Sequence, residues 1–320
     1  MTTRAPAPAP GRLTPVACPA CAAAGARHEL VAADPVSGHA FTLVRCLGCG
    51  LVYVSPRPEG ALLAAYYEDY YGERHVVLKQ LFLGARVRRV GPPQPGGRLL
   101  DIGCGSGEFL LACKRRGWDV VGIEHERSPI IERCAALGLT VETPATLPAL
   151  PDASFHVVSL SHVLEHLPNP RKVLLEAHRV LVPGGRLLVE TPNFGSWQAR
   201  LSGRTWHHLD VPRHLLHFDR AALEGLLAAA GFASGRWQTF SLEYDTFGLV
   251  QSILDRVCRQ PNHLFSLLRG KRSAGSRRDT ALSLALLVPL ALVAGMVSVV
   301  APLGRRGGVL RVEARKRSAP

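Results

Sequence analysis

The chain has 320 residues, 47% of them apolar and 20% charged, which is long and apolar enough for one large domain or two smaller ones and excludes a disordered or fibrous chain. Its formal charge of +13 looks like a nucleic-acid signature until it is mapped: between Arg256 and Pro320 the basic residues meet only Asp279 and Glu313, and the remainder is nearly neutral. Basicity confined to one end, beside an apolar segment, suits an anionic membrane surface at least as well as RNA.

Residues 1–15 are rich in Pro and Ala, carry Arg4 and Arg12, and lack a continuous apolar core, so they predict a disordered tail and not a targeting signal. Residues 16–58 hold two Cys-x-x-Cys knuckles, Cys18/Cys21 and Cys46/Cys49, with 24 residues between them. Four thiolates in paired turns match a closed tetrahedral zinc site that leaves no open position, hence a structural ion. His39 lies between the pairs but has no ligand vacancy to fill. Two disulfides are the competing reading; four further scattered cysteines (Cys104, Cys113, Cys134, Cys258) and the absence of a visible secretion signal speak against it. Residues 59–96 predict a helical linker with Leu62, Leu63, Tyr66 and Tyr67 on one face. Tyr70 and Tyr71 behind them are candidate substrate-binding residues, against the plainer reading of interdomain packing.

Residues 97–245 open with Leu99-Leu100-Asp101-Ile102-Gly103-Cys104-Gly105-Ser106-Gly107-Glu108-Phe109, an apolar run, a glycine turn and an amphipathic segment. That order predicts strand, turn and helix of a doubly wound α/β sheet. The glycines do not follow the dinucleotide spacing, since Glu108 stands where the third fingerprint glycine belongs. Asp101 before the turn would repel a pyrophosphate and suits a ligand with an ammonium and a sulfonium, which is S-adenosylmethionine. Trp118 to Glu124 reads as the next strand, ending in an acid placed for a ribose diol. Through Asp-Ile-Gly-Cys-Gly-Ser-Gly and Glu124 the sequence resembles the class I S-adenosylmethionine-dependent methyltransferases. The resemblance implies a Rossmann-like, seven-stranded sheet and a cofactor site built from Asp101, Gly103, Cys104, Gly105, Gly107, Glu124, His125, Leu147, Ser161 and His162. Leu147 enters because Thr146-Leu147-Pro148 matches the family's loop beside the adenine. Ser161-His162-Val163-Leu164-Glu165-His166 resembles the "VLEH" motif of the ubiquinone-pathway type. The four-cysteine ribbon running into "GLVYVSPRP" resembles a bacterial subgroup linked to sugar and envelope biosynthesis.

Trp206 to Phe218 packs His207, His208, His214, His217, Asp210 and Arg213 into thirteen residues, which reads as too polar for core. Because this fold builds its acceptor pocket after the fifth strand, His208, His214 and Asp210 are the candidate catalytic residues and Arg213 a substrate-binding one. The plainer alternative is a hydrogen-bonded loop held by Asp210 and Arg213. Residues 246–308 form a basic and apolar helical insertion, in which Ala281–Pro302 carries no charge and is long enough to cross a bilayer. Residues 309–318 alternate like the family's last, antiparallel strand, and a single crossing would part that strand from its sheet. The segment therefore predicts a membrane-surface hairpin broken near Pro289 or Gly295, with a true span or a soluble helical pair as rivals.

Taken together the sequence predicts a cytoplasmic methyltransferase, peripheral or hairpin-anchored at the inner face of the cell membrane. Its cofactors are S-adenosylmethionine and a structural zinc ion, and its acceptor is a hydroxyl or activated carbon of a small, sugar- or lipid-linked envelope precursor. The rivals are an RNA methyltransferase gripping nucleic acid with its ribbon and an inert scaffold that keeps the fold. The first is disfavoured because only Arg27 and Arg45 are basic between the outer cysteines. The second is disfavoured by the intact Asp101, Gly103, Gly105 and Glu124.

Overall fold

The computed structural model describes residues 11–67, 79–125, 130–268 and 277–317. Tyr70 and Tyr71 lie outside the described residues. The amino-terminal unit is a meander of β1 (Ala26–Ala33), β2 (Ala40–Cys46) and β3 (Val52–Val54). Strands β1 and β2 join at Asp34, whose buried carboxylate accepts the amides of Val36 and Ser37 at 3.1 and 2.9 Å, a side chain tying its own turn. Thr14 exchanges backbone hydrogen bonds with Arg57 (2.9 and 3.0 Å), so the chain joins the ribbon earlier than a tail ending at residue 15 implies.

Next come α1 (Gly60–Ala65) and α2 (Lys79–Val90). The alternating part follows as β4 (Arg98–Ile102), α3 (Glu108–Lys114), β5 (Asp119–Ile123), α4 (Ile130–Ala136), β6 (Thr140–Glu142), β7 (Phe155–Ser161), α5 (Pro170–Val180) and β8 (Leu181–Pro192). It ends with α6 (Trp197–Ser202), β9 (Leu216–His217), α7 (Arg220–Ala229), β10 (Phe232–Gln238), α8 (Leu242–Val257), α9 (His263–Leu268), α10 (Arg277–Val300) and β11 (Val309–Lys316). The main sheet runs β10-β11-β8-β7-β4-β5-β6, six strands pointing one way with antiparallel β11 wedged between β8 and β10. Both faces are covered, as a parallel sheet requires. Leu100, Ile102, Val158 and Leu160 pack toward Leu174 of α5 and Leu223 of α7, while Leu99 and Val157 pack with Val87 of α2 and Phe109 of α3. Helix α2 is thus part of the methyltransferase-like core, where a linker was expected.

Two features depart from the sequence reading. First, β9 pairs antiparallel with β3 and becomes the fourth strand of the ribbon sheet, so the segment after β8 is shared by both units. Second, the apolar segment is not a broken hairpin. Helix α10 runs unbroken through Pro289 and packs on α8, which begins at Leu242, inside the span assigned to the preceding domain. Helices α8 and α10 form an out-and-back pair that returns the chain to β11. That keeps β11 in its sheet without a crossing.

Candidate active site at the carboxyl edge of the sheet

The turn between β4 and α3 is left-handed at Gly103, Gly105 and Gly107 (φ 72°, 52° and 72°), which L side chains rarely adopt. A Cβ at Gly103 would lie 2.2 Å from Cγ2 of Val163, and one at Gly107 2.6 Å from Sγ of Cys134. At Gly105 nothing stands within 4 Å. The amides of Gly103 and Cys104 donate to the Ile123 carbonyl (2.7 and 3.1 Å), Gly105 donates to Oε2 of Glu124 (2.7 Å), and Gly107 donates to the Cys104 carbonyl (3.2 Å). Glu124 takes the His125 amide on its other oxygen at 2.9 Å. A phosphate-binding turn aims such amides at the anion; here they are closed on protein acceptors, one of them a carboxylate. Cys104 is buried beneath the turn, its Sγ against Gly122, so it shapes the turn from below. Leu147 is buried in a 3-10 turn, its carbonyl held by Arg179 Nη2 at 3.0 Å.

Asp101 does not stand free in the cleft as its place before the turn suggested. It is fully buried and paired through Oδ1 with Nη2 of Arg86 on α2 (2.6 Å), and that guanidinium also donates to Ser159 Oγ (3.0 Å) and lies over the Phe109 ring. Oδ2 of Asp101 is buried without a hydrogen bond. Burial raises the carboxyl to about pH 6, with Arg86 opposing.

His162 sits at the end of β7 in a left-handed backbone conformation (φ 55°), and its ring stacks on Tyr244 of α8 with centroids 4.2 Å apart. Nδ1 lies 3.2 Å from Oε1 of Glu165 and Nε2 lies 3.4 Å from Oε1 of Glu190. Glu190 in turn receives Arg89 (2.7 Å) and Arg311 (2.8 Å), and Glu165 receives the Thr191 hydroxyl (3.0 Å). Burial opposes the imidazolium, but the two carboxylates outweigh it and raise His162 to about 9. Because the folded value lies above the ordinary 6.5, this pairing stabilises the fold fully below about pH 6.5 and is lost as pH rises through 9. The midpoint of thermal unfolding should therefore fall across that window, and His162→Gln should flatten the slope. A wild-type profile no steeper than the variant's would contradict the pairing.

The segment expected to line an acceptor pocket is core. Arg213 is wholly buried, with Nη2 on Oδ1 of Asp34 (2.6 Å), Nε and Nη2 on Oδ1 of Asp210 (3.0 and 2.8 Å), and Nη1 on the Tyr66 carbonyl (3.2 Å). It ties the ribbon turn to the main domain and offers no face to a substrate, which corrects its assignment; its polarity is satisfied internally. Asp210, in a left-handed conformation (φ 36°), is the other arm of that clamp, with its catalytic role displaced by the same pairing. His208 is 8% exposed and places Nε2 3.3 Å from the Tyr244 carbonyl; burial holds its ring well below the usual imidazole range, hence neutral. His214, 9% exposed, bonds the His208 carbonyl through Nδ1 at 2.8 Å. The structure thus brings His162, His208 and His214 into one neighbourhood, with Tyr244 against the first two and His214 tied to the His208 carbonyl. Sequence reasoning missed Arg86, Arg89, Glu190, Tyr244 and Arg311. The i, i+3 spacing of Arg86 and Arg89 did not set them apart, because Lys79, Gln80 and Arg88 on the same helix are polar too.

In the ribbon, the Sγ atoms of Cys18, Cys21, Cys46 and Cys49 all lie within 4.8 Å of one another, with Cys18–Cys49 and Cys21–Cys46 at 3.5 Å. Tetrahedral zinc–thiolate bonds imply sulfur separations of about 3.8 Å. The amides of Gly48 and Cys49 point at Cys46 Sγ (3.3 and 3.4 Å); against burial, they hold that thiol down to about 7, ready to ligate. The set fits a zinc ion.

Residues 77–234 match the family described as Methyltransferase domain. With the methyltransferase-named relatives that follow, this match supports a class I S-adenosylmethionine-dependent methyltransferase domain over these residues. Among similar proteins, the ubiquinone biosynthesis O-methyltransferase of Hahella chejuensis is 39% identical over 106 residues, 31% of this chain and 44% of that protein. A Mycolicibacterium smegmatis protein described as "probable S-adenosylmethionine-dependent methyltransferase" is 31% identical over 172 residues, 52% of this chain and 60% of its own length. The chain spans less than half the length of the first ubiquinone-pathway relatives it matches. Among solved structures, a SAM-dependent methyltransferase from Archaeoglobus fulgidus aligns with a TM-score of 0.47 at 21% identity, covering 78% of this chain and 98% of that one.

Proposed function

We propose that the protein transfers the methyl group of S-adenosylmethionine to a hydroxyl or activated carbon of a small, sugar- or lipid-linked envelope precursor at the inner face of the cell membrane. The observation that carries the cofactor reading is the glycine turn: its amides are closed on Ile123, Glu124 and Cys104, and Gly105 alone opens into space. A dinucleotide phosphate would meet the Glu124 carboxylate there, whereas a ribose diol would be held by it. The buried, unbonded Oδ2 of Asp101 adds a place for a cationic group. When bound, the cofactor supplies a methyl group already activated on sulfonium, so the chain's own residues have to position and to handle a proton. His162, held cationic between Glu165 and Glu190, is a positioning wall and not a base at neutral pH. His208, buried beside Tyr244 with Nε2 on its carbonyl and held below the usual imidazole range, is too weak a base to take that proton and packs behind the wall. Calorimetry on the full chain tests the reading: S-adenosylmethionine should bind and NADH should not, and labelled methyl should pass to envelope extracts. Binding of NADH alone would overturn the cofactor, and binding without any transfer to envelope material would favour an inert scaffold.

An RNA acceptor is less well supported, because Arg45, one of the two arginines between the outer cysteines, is already forked onto Glu29 (2.9 and 2.7 Å). The membrane part of the proposal rests on the inverted character of α10. Its fully buried residues are Asp279, Ser283, Ala294 and Ser298, whereas Leu284, Val288, Leu292, Met296 and Val299 stand out in solvent along about 24 Å of helix. Arg278 at one end and Arg305 and Arg306 at the other supply cations for anionic headgroups. The full chain should sediment with phosphatidylglycerol vesicles. Val288→Asp with Leu292→Asp, both two-thirds exposed, should abolish this at an unchanged unfolding midpoint. Sedimentation that survives both substitutions would remove the membrane from the proposal.

A further inference from the structure

Beside the clamp around Arg213, a second ligand set stands apart from the ribbon and adjoins the proposed methyl-transfer site, sharing Glu165 with His162. Glu165 and His166 lie in the 3-10 turn that follows β7, and His214 lies two residues before β9. One carboxylate oxygen of Glu165 and one ring nitrogen from each histidine all fall within 4.8 Å of one another. The two imidazoles meet edge to face with centroids 4.6 Å apart.

The hydrogen bonds around them settle the tautomers. Nδ1 of His166 lies 3.0 Å from the Arg213 carbonyl and 3.1 Å from the Tyr67 hydroxyl, whose own proton goes to that carbonyl at 3.0 Å, and Nδ1 of His214 lies 2.8 Å from the His208 carbonyl. A carbonyl can only accept, so both rings carry their proton on Nδ1 and keep the lone pair on Nε2. Imidazoles anchored in this way, through one nitrogen on a backbone carbonyl, are the arrangement that presents the other nitrogen to a metal. The carboxylate is oriented as well: Glu165 receives the Thr191 hydroxyl at 3.0 Å and His162 at 3.2 Å. His217, from β9 and 4% exposed, keeps a buried Nε2 that has no hydrogen-bond partner. The neighbourhood thus holds more nitrogen lone pairs than protein donors.

We propose that Glu165, His166 and His214 bind a first-row divalent cation, a second metal site distinct from the four-cysteine ribbon. Two imidazoles and a carboxylate suit zinc and its neighbours in the row. Bonds of about 2.0–2.2 Å require the three donors to draw in by roughly an ångström, within the reach of small side-chain rotations. Three protein ligands leave a coordination position open, unlike the closed cysteine set. The ion would join the β7 turn to the segment leading into β9, one hydrogen bond from His162.

The test uses the full chain loaded with zinc ion and desalted. Metal analysis should find two zinc ions per wild-type chain and one in His166→Ala and in His214→Ala. Two ions retained in both variants, or only one in the wild type, would overturn the site. Should the variants fold poorly, zinc-soaked crystals of the wild-type chain decide the matter. An anomalous peak enclosed by Glu165, His166 and His214 is expected besides the one at the cysteines, and a peak at the cysteines alone refutes the proposal.

Discussion

Replacing Arg213 with alanine should cost about 3–5 kcal/mol of stability, the range for removing one partner of a buried charge cluster. The guanidinium is fully buried and bridges Asp34 in the ribbon turn to Asp210, with a further bond to the Tyr66 carbonyl. Its removal strands two buried carboxylates at once. Arg213→Lys should recover little, because a single ammonium cannot satisfy three acceptors spread around a planar fork. Thermal and denaturant unfolding measure this directly. A loss below about 1 kcal/mol for the alanine variant would mean that the clamp is not what joins the two units. Asp34→Asn combined with Arg213→Ala should cost less than the separate losses added together, since the pair shares one interaction.

Stripping zinc from a chain loaded at the four cysteines should have a larger effect, and it should spread. Structural zinc sites contribute on the order of 10 kcal/mol of apparent binding energy, as much as a whole domain's stability. Chelation should unfold the cysteine knuckles, and because β9 is hydrogen-bonded to β3 it should also release the strand that carries His217. Hydrogen exchange checks both parts: amides in β1–β3 and in residues 206–218 should lose protection together when zinc is stripped. Protection retained in the second region would show that the shared sheet holds without the ion. Undiminished protection in both would show that the cysteines hold no metal that matters.

The main domain was legible because its signals are local. Asp101 to Glu108, the strand ending at Glu124, and the alternation of apolar runs with helical segments each declare themselves within about ten residues, and the antiparallel last strand follows from the alternation of Val309 to Lys316. The cysteine spacing is local in the same sense. The 206–218 segment was misread because its polarity was judged without its partners. Arg213 looks like a surface residue until Asp34, 179 positions away, is placed beside it. The same holds for Asp101, whose apparent freedom disappears once Arg86 arrives from a helix that by its sequence reads as a linker. Burial of a charge is decided by tertiary pairing, which no window along the chain reports. The apolar segment failed in another way: composition gave its length and hydrophobicity, but not that α8 would lie against it and keep it whole.

The pairing of β3 with β9 has a consequence for the order in which the molecule is made. Strands β1 to β3 leave the ribosome early, yet their sheet is complete only when Leu216 and His217 have followed, after most of the parallel sheet. Until then β3 presents an open edge, and Asp34 waits for its arginine. The amino-terminal unit is thus first in synthesis but cannot be first to finish folding, and the long sequence separation of its closing contacts should make that step slow. A nascent chain arrested before residue 215 should hold its cysteine knuckles but leave the Val54 amide, which donates to the Leu215 carbonyl in the finished fold, unprotected, a delay that an early-folding, self-contained zinc module would not have.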